Sequence, residues 1–399
     1  MQSRHDKKNV WRVYRYFFRL GAIQFGGPVA LAEAMKRDLV EKEKIISVEE
    51  YKEGLALAQL APGPLATQVA MYIGYIINGF TGATMVSFAF LLAPFLIVLL
   101  LSWLYVAYGG LPWLQPVFYG IGAAVVGIIT KASYKLLKTT LHHAVLWGIA
   151  LVLAFSTVIM KEENVWLFLM AGILTTVLVI FQKKHKAIEE PVKEEIIQKK
   201  GAKKKKRIFP KRAWFAFLSA GSLASSGLML KMFFYFFQAS LFVFGSGLAI
   251  VPFLYGGVVT NYHWLTERQF LDAVAVAMIT PGPAVITVAF IGYIIAGIKG
   301  AAIAMLGMFL PVYLITVGVA PWFSKISKNE YIKAFIDGVT AAALGALAGA
   351  VIIIGGKSIV DVTTFLIAAI TLVLLLRTKL PEPIIIVAAG LAGFLLSML

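Results

Sequence analysis

Long apolar runs alternate with short polar connections along nearly the whole chain. Eight such runs fall at roughly 82–107, 117–134, 144–160, 165–181, 300–323, 334–354, 358–376 and 382–398. Most are near the roughly 20 residues that an α-helix needs to cross hydrocarbon. Four further apolar segments are interrupted. Phe17–Ala34 and Phe233–Leu254 carry glycine breaks, and Glu53–Asn78 and Phe270–Gly297 carry Pro62-Gly63-Pro64 and Pro281-Gly282-Pro283. Proline removes a backbone donor and pushes the preceding residue out of the α region. Each Pro-Gly-Pro is therefore predicted to stop one helix and start another. In lipid, such a break is tolerated only where it is buried in protein or lines a wet cavity.

The pattern occurs twice. Shifting the chain by 219 residues lays Phe17-Phe18 on Phe236-Phe237, Phe25-Gly26-Gly27 on Phe244-Gly245-Ser246, Glu53 on Asp272 and one Pro-Gly-Pro on the other. Beyond the break the register slips by one, so that Gly74-Tyr75 matches Gly292-Tyr293. A fixed offset across so many residue types marks an internal duplication. Both copies open the Pro-Gly-Pro segment with a helix-capping signature, Ser47-Val48-Glu49-Glu50 and Thr266-Glu267-Arg268-Gln269.

Charge sets the expected topology. Residues 182–212 hold thirteen Lys or Arg against four Glu, and the first nineteen residues hold six basic residues against one Asp. Such segments read as cytoplasmic under the positive-inside rule. Lys131, Lys135 and Lys138 agree, whereas the loops at 108–116 and 161–164 lack a basic excess. Basic residues on both flanks make the glycine-break and Pro-Gly-Pro segments re-entrant from the cytoplasmic side. The run Ala213–Leu230 has no counterpart in the first half and adds one crossing, which inverts the second copy. Lys325, Lys328, Lys333, Arg377 and Lys379 fit that inversion. The predicted fold is an all-α polytopic membrane protein of two inverted repeats. Each repeat has glycine-break and Pro-Gly-Pro broken helices plus four spanning helices. The expected units are 1–181, a basic cytoplasmic linker at 182–212, an extra transmembrane helix at 213–230, and 231–399. The expected setting is the cell membrane, with the N-terminus and linker in the cytoplasm.

Composition narrows the chemistry. The chain is 60% hydrophobic and 14% charged, with mean hydropathy +0.83, and it has no cysteine. Disulfide, thiolate and Cys-metal chemistry are excluded. Gly355-Gly356-Lys357-Ser358 resembles the end of a P-loop, but position 351 is Val. No enzyme, cofactor or metal signature stands out. Repeat-matched broken helices point instead to a secondary transport site. Helices restarting at Pro64 and Pro283 would aim N–H groups and a positive dipole end at an oxyanion. Candidate substrate contacts are Pro62, Gly63, Pro64, Pro281, Gly282, Pro283, Gly26, Gly27, Gly245, Ser246, Gln24, Gln59, Thr280 and Arg19, with Thr67 and Gln68 among the polar side chains near the breaks. Glu53 and Asp272 are the candidates for a coupling proton. Structural kinks, snorkelling of Arg19 and favourable first-turn carboxylates are the bland alternatives.

Phe25-Gly26-Gly27-Pro28, Ala61-Pro62-Gly63-Pro64, Phe244-Gly245 and Thr280-Pro281-Gly282-Pro283, in a duplicated chain of this length, resemble the chromate transporter family in its long two-domain bacterial form. The resemblance covers both halves and excludes the basic linker. Ser246-Gly247 departs from the pattern of Gly27-Pro28. The resemblance implies chromate export across the cytoplasmic membrane and chromate resistance, with sulfate as a related ligand. Proton-coupled sulfate or oxyanion uptake and a passive anion channel are the competing expectations. The expected partners are a chromate- or sulfate-like oxyanion and the lipid bilayer, without nucleic acid; a homodimer is left open.

Overall fold

The computed structural model describes residues 7–25, 27–108, 114–160, 165–189, 227–243, 250–323, 329–378 and 380–396. Among them every regular element is helical. The first half runs α1 (Lys7–Ile23), α2 (Gly27–Met35), α3 (Val48–Leu60), α4 (Leu65–Tyr108), α5 (Leu114–Thr140), α6 (Ala144–Met160) and α7 (Val165–Glu189). The second half runs α8 (Leu228–Ser240), α9 (Val251–Leu254), α10 (Glu267–Ile279), α11 (Thr287–Val319), α12 (Glu330–Ser358), α13 (Val362–Arg377) and α14 (Glu382–Leu396). The expected linker overlaps the end of α7. The expected extra crossing lies outside the described residues up to 226, and its last residues already belong to α8. Gly355-Gly356-Lys357-Ser358 closes α12 instead of opening a helix, so its N–H groups are spent inside that helix.

The duplication extends to irregular backbone. Wide π-type turns follow at Lys36–Lys42 and Tyr255–Asn261. Each is followed by a non-glycine residue at φ 50°, Lys44 and His263. Both capping boxes form, Ser47 with Glu50 and Thr266 with Gln269. Two side chains thereby satisfy N–H groups that a helix start leaves open.

α4 and α11 are each two helices joined by a sharp turn, at Asn78–Gly79 and Ala296–Gly297. Past the turn the chain doubles back. A Cβ on Gly74 would sit 2.5 Å from Gly82 O, and one on Gly292 would likewise meet Gly300 O. α3 also lies against the helix that follows it, with Gly54 on the Tyr72 ring. Each Pro-Gly-Pro is thus the tip of a helical hairpin. Its first leg is thirteen residues in both halves, about 20 Å at 1.5 Å per residue. A bilayer core is about 30 Å thick.

The halves pack through each other. α12 lies on α6 and α7, and α5 lies on α13 and α14. Small residues permit the approach: Gly345 meets Ala150, Gly349 meets Ala154, and Gly127 meets Ala368. The order of these contacts makes α12 parallel to α6. Tyr119 donates to Asp361, earlier along both elements than Gly127 on Ala368, which makes α5 parallel to α13. Gly120 meets Ala389 while Gly393 meets Pro116, so α5 and α14 run oppositely. Among the described residues, four helices are long and apolar enough to cross a membrane: Leu65–Tyr108, Gln115–Thr140, Ala284–Trp322 and Glu330–Ser358. Large apolar side chains cover the outside, among them Phe88, Leu151, Phe155, Trp166 and Val362. Such a coat is a liability in water and a match for lipid.

Candidate functional site

The two Pro-Gly-Pro tips meet the opposite repeat through a reciprocal pair of hydrogen bonds. Gly63 N–H donates to Val243 O at 2.6 Å, and Gly282 N–H donates to Gln24 O at 3.0 Å. Gln24 and Val243 are themselves repeat partners, 219 residues apart. Each accepts just where its glycine-break helix has stopped, because a helix end leaves carbonyls without an internal partner. The middle glycine of each turn therefore has no N–H left for an anion.

Glycine is required at both tips. Gly63 has φ +136° and Gly282 has φ +97°, where L side chains are strained. Space is also closed. A Cβ on Gly63 would stand 2.7 Å from Val312 Cγ1, and one on Gly282 would stand 3.1 Å from Pro94. Pro94 and Pro311 lie inside the long legs of α4 and α11, so each tip rests beside the proline-bearing stretch of the other half.

The helices that restart after the tips differ. In the first half, Gln68 N–H donates to Pro64 O at 3.1 Å as the first intrahelical bond. The N–H groups of Leu65, Ala66 and Thr67 precede it. Gln68 Nε2 reaches back to Pro62 O at 2.8 Å and bears on Ala61 O at 3.3 Å, which braces the tip. In the second half the chain first makes a tight 3-10 turn at Ala284–Ile286. Thr287 Oγ1 donates to Ala284 O at 2.8 Å.

Polar side chains follow the same divide. Among the described residues, Thr67 Oγ1, Gln68 Oε1, Thr316 Oγ1 and Ser358 Oγ are buried without a hydrogen-bond partner. Thr67, Gln68 and Thr316 are fully buried. Thr316 belongs to α11, one turn beyond Val312, which meets Gly63, and one turn before Ala320, which clusters with Leu57, Ala61 and Tyr72. Residues four apart share a helix face, so Thr316 lies on the face of α11 that meets the first hairpin. Nearly all buried polar groups in native proteins are paired, so Thr67 and Gln68 just after the first tip, and Thr316 on the face of α11 that meets its hairpin, stand out.

The remaining expected site residues separate. Thr280 is buried, but its hydroxyl donates to Val276 O at 2.7 Å within its own helix. Gln24 is half-buried and its side chain turns to Phe25 O at 3.2 Å. Gly27 opens α2 at φ +74° with nothing near its Cβ position. Gln59 and Arg19 are exposed. Exposure takes Arg19 out of the buried seam and fits the anchoring alternative. Gly26, Gly245 and Ser246 lie outside the described residues. Of the two acids, Glu53 is half-buried beside Tyr72. Asp272 is 2% exposed and accepts a 2.7 Å bond from Tyr105 of the first half. Tyr105 and Thr316 were not found from the sequence. Each lies within a long apolar run, away from the glycine and Pro-Gly-Pro breaks.

A family model described as "Chromate transporter" matches residues 11–176 and 230–394. A chromate transport protein of Cupriavidus metallidurans is 52% identical over 388 residues, covering 95% of this chain and 91% of that protein. A protein of Synechococcus elongatus named as a probable chromate transport protein is 49% identical over 392 residues, 98% of this chain and 96% of its own. A chromate transport protein of Pseudomonas aeruginosa is 28% identical over 392 residues, 96% of this chain and 92% of its own. No solved structure matches the chain. With both repeats matched by the family model and relatives about half identical over nearly their full length, the chain belongs to the chromate transporter family.

Proposed function

We propose that the protein exports chromate across the cytoplasmic membrane by alternating access at the seam between two inverted repeats. The observation that carries this is the reciprocal bonding of the two Pro-Gly-Pro tips, Gly63 to Val243 and Gly282 to Gln24, in a chain 52% identical to a chromate transport protein. Short broken helices in matching positions of two repeats are where secondary transporters hold their substrates. Helix directions support the inversion. α5 and α6 are joined by a short turn, as in an antiparallel pair, and α12 runs with α6, so α12 opposes its repeat partner α5. Basic segments favour a cytoplasmic N-terminus and linker, with the first hairpin entered from the cytoplasm and the second from outside.

Export fits the energetics. One charge crossing 100 mV is worth about 2.3 kcal/mol, so an oxyanion gains about that for each negative charge it carries out of a negative interior. The test is chromate uptake into inside-out vesicles. Accumulation should follow the imposed potential; none at any potential would overturn the proposal. Orientation is tested in the cysteine-free chain. Asn78→Cys should label from the cytoplasm and Lys299→Cys from outside, and labelling from one common side would rule out inversion.

Buried Asp272 favours a second reading, proton-coupled uptake of sulfate or a related oxyanion. Replacing it separates the two, since symport would collapse and potential-driven export would persist.

A further inference from the structure

We propose that the oxyanion is held at only one of the two Pro-Gly-Pro turns, the first, between Thr67 and Thr316. This rests on the transport reading above and names the side chains of its site. Thr67 lies in the turn of helix that opens after Pro64, and Thr316 comes from the long leg of α11 in the other repeat. Both hydroxyls are fully buried and neither has a partner among the described residues. A hydroxyl buried without a partner loses its hydration for nothing in return. A tetrahedral oxyanion would repay both, because each can donate to one of its oxygens. The N–H groups of Leu65, Ala66 and Thr67, at the positive end of the same helix, supply further donors.

Gln68 completes the set. Its Nε2 is occupied by the carbonyls of Ala61 and Pro62, and its Oε1 is left as a buried acceptor. An acceptor beside donors suits an oxyanion that carries one proton, whose O–H Oε1 can receive.

Among the described residues, the second turn has no buried side-chain atom left unpaired. The 219-residue offset holds through Val69-Ala70 on Val288-Ala289, ahead of the slip, so Thr67 corresponds to Ile286 and Gln68 to Thr287. Counting from the paired prolines Pro94 and Pro311, Thr316 corresponds to Leu99. Thr287 and Thr280 spend their hydroxyls on carbonyls of their own segments. The seam is close-packed around Gly63, Gln68 and Val312. Entry of the ion therefore requires the first hairpin to part from α11, a movement that carries the ion with one repeat or the other.

The test is chromate binding to the purified full-length protein, by calorimetry or thermal shift. Thr67→Val and Thr316→Val keep shape and remove the hydroxyl. Each should weaken binding about tenfold or more, the usual worth of a hydrogen bond to a charged group. Thr67→Ser and Thr316→Ser should restore it. Thr130→Val, whose hydroxyl is already bonded to Val126 O, should bind as wild type. Wild-type affinity in both valine variants would overturn the assignment and leave the transport reading standing. Loss of binding in the serine variants as well would overturn it too, as a packing effect. Absence of chromate binding by the wild-type protein would remove the transport reading itself.

Discussion

The first and second hairpins share a backbone and differ in what they leave unsatisfied. Both have a capping box at the entry, a left-handed glycine at the tip, a hydrogen bond across to the other repeat and a sharp turn at the exit. At the first tip, Thr67 and Gln68 keep unpaired polar atoms, and the neighbouring acid, Glu53, is only half-buried. At the second tip the hydroxyls are bonded locally, and the acid, Asp272, is buried against Tyr105 of the first half. Duplication supplies the frame twice, and divergence assigns its two copies different chemistry. The first is the one proposed above to hold the anion. The second holds a buried carboxyl bonded to Tyr105 across the interface between repeats.

The comparison breaks most readily at the tip glycines. Gly63→Leu should abolish chromate binding and transport, because it strains the backbone and drives a side chain into Val312 and Gln68. Gly282→Leu should abolish transport while binding survives, because its contacts are with Pro94 and Gly21. Equal loss of binding in both would mean that the two tips form one symmetric site. The measurement is chromate titration beside vesicle flux.

A smaller effect separates the acids. If Asp272 carries the coupling, Asp272→Asn should reduce the response of transport to an imposed pH gradient about tenfold, the usual size of coupling between two ligand sites. Glu53→Gln should change it far less. Asp272→Ala should also destabilise the protein by about 1–3 kcal/mol by leaving the Tyr105 hydroxyl unpaired, read as a lowered melting temperature. The smallest effect should be symmetric. Ser47→Ala and Thr266→Ala should each cost about 1 kcal/mol with little change in transport. Unequal costs in thermal melts would show that the hairpins differ in rigidity as well as in chemistry.

Much of the frame was legible in the chain. The capping boxes follow from Ser47 with Glu50 and Thr266 with Gln269, three residues apart. The breaks follow from Pro-Gly-Pro, and the return turn falls where Asn78–Gly79 ends the apolar segment. These are local rules, decided within a few residues, and the 219-residue offset let each copy vouch for the other. The site was less legible. Arg19 and Gln59 looked like donors by proximity along the chain, yet they are exposed. Thr280 looked available and is bonded to the turn before it. Whether a hydroxyl is free depends on the carbonyl four residues back and on what packs over it, which residue type does not state.

The sequence by itself determined the helical class, the duplication and the places where helices stop, because these are set by backbone chemistry and short spacings. Tertiary structure alone decided that Gly63 is tied to Val243 and Gly282 to Gln24, that Thr316 faces the first hairpin, and that Asp272 meets Tyr105 across 167 residues. Those pairings come from helices of opposite repeats packing through small residues, and no local pattern in the chain encodes which face meets which.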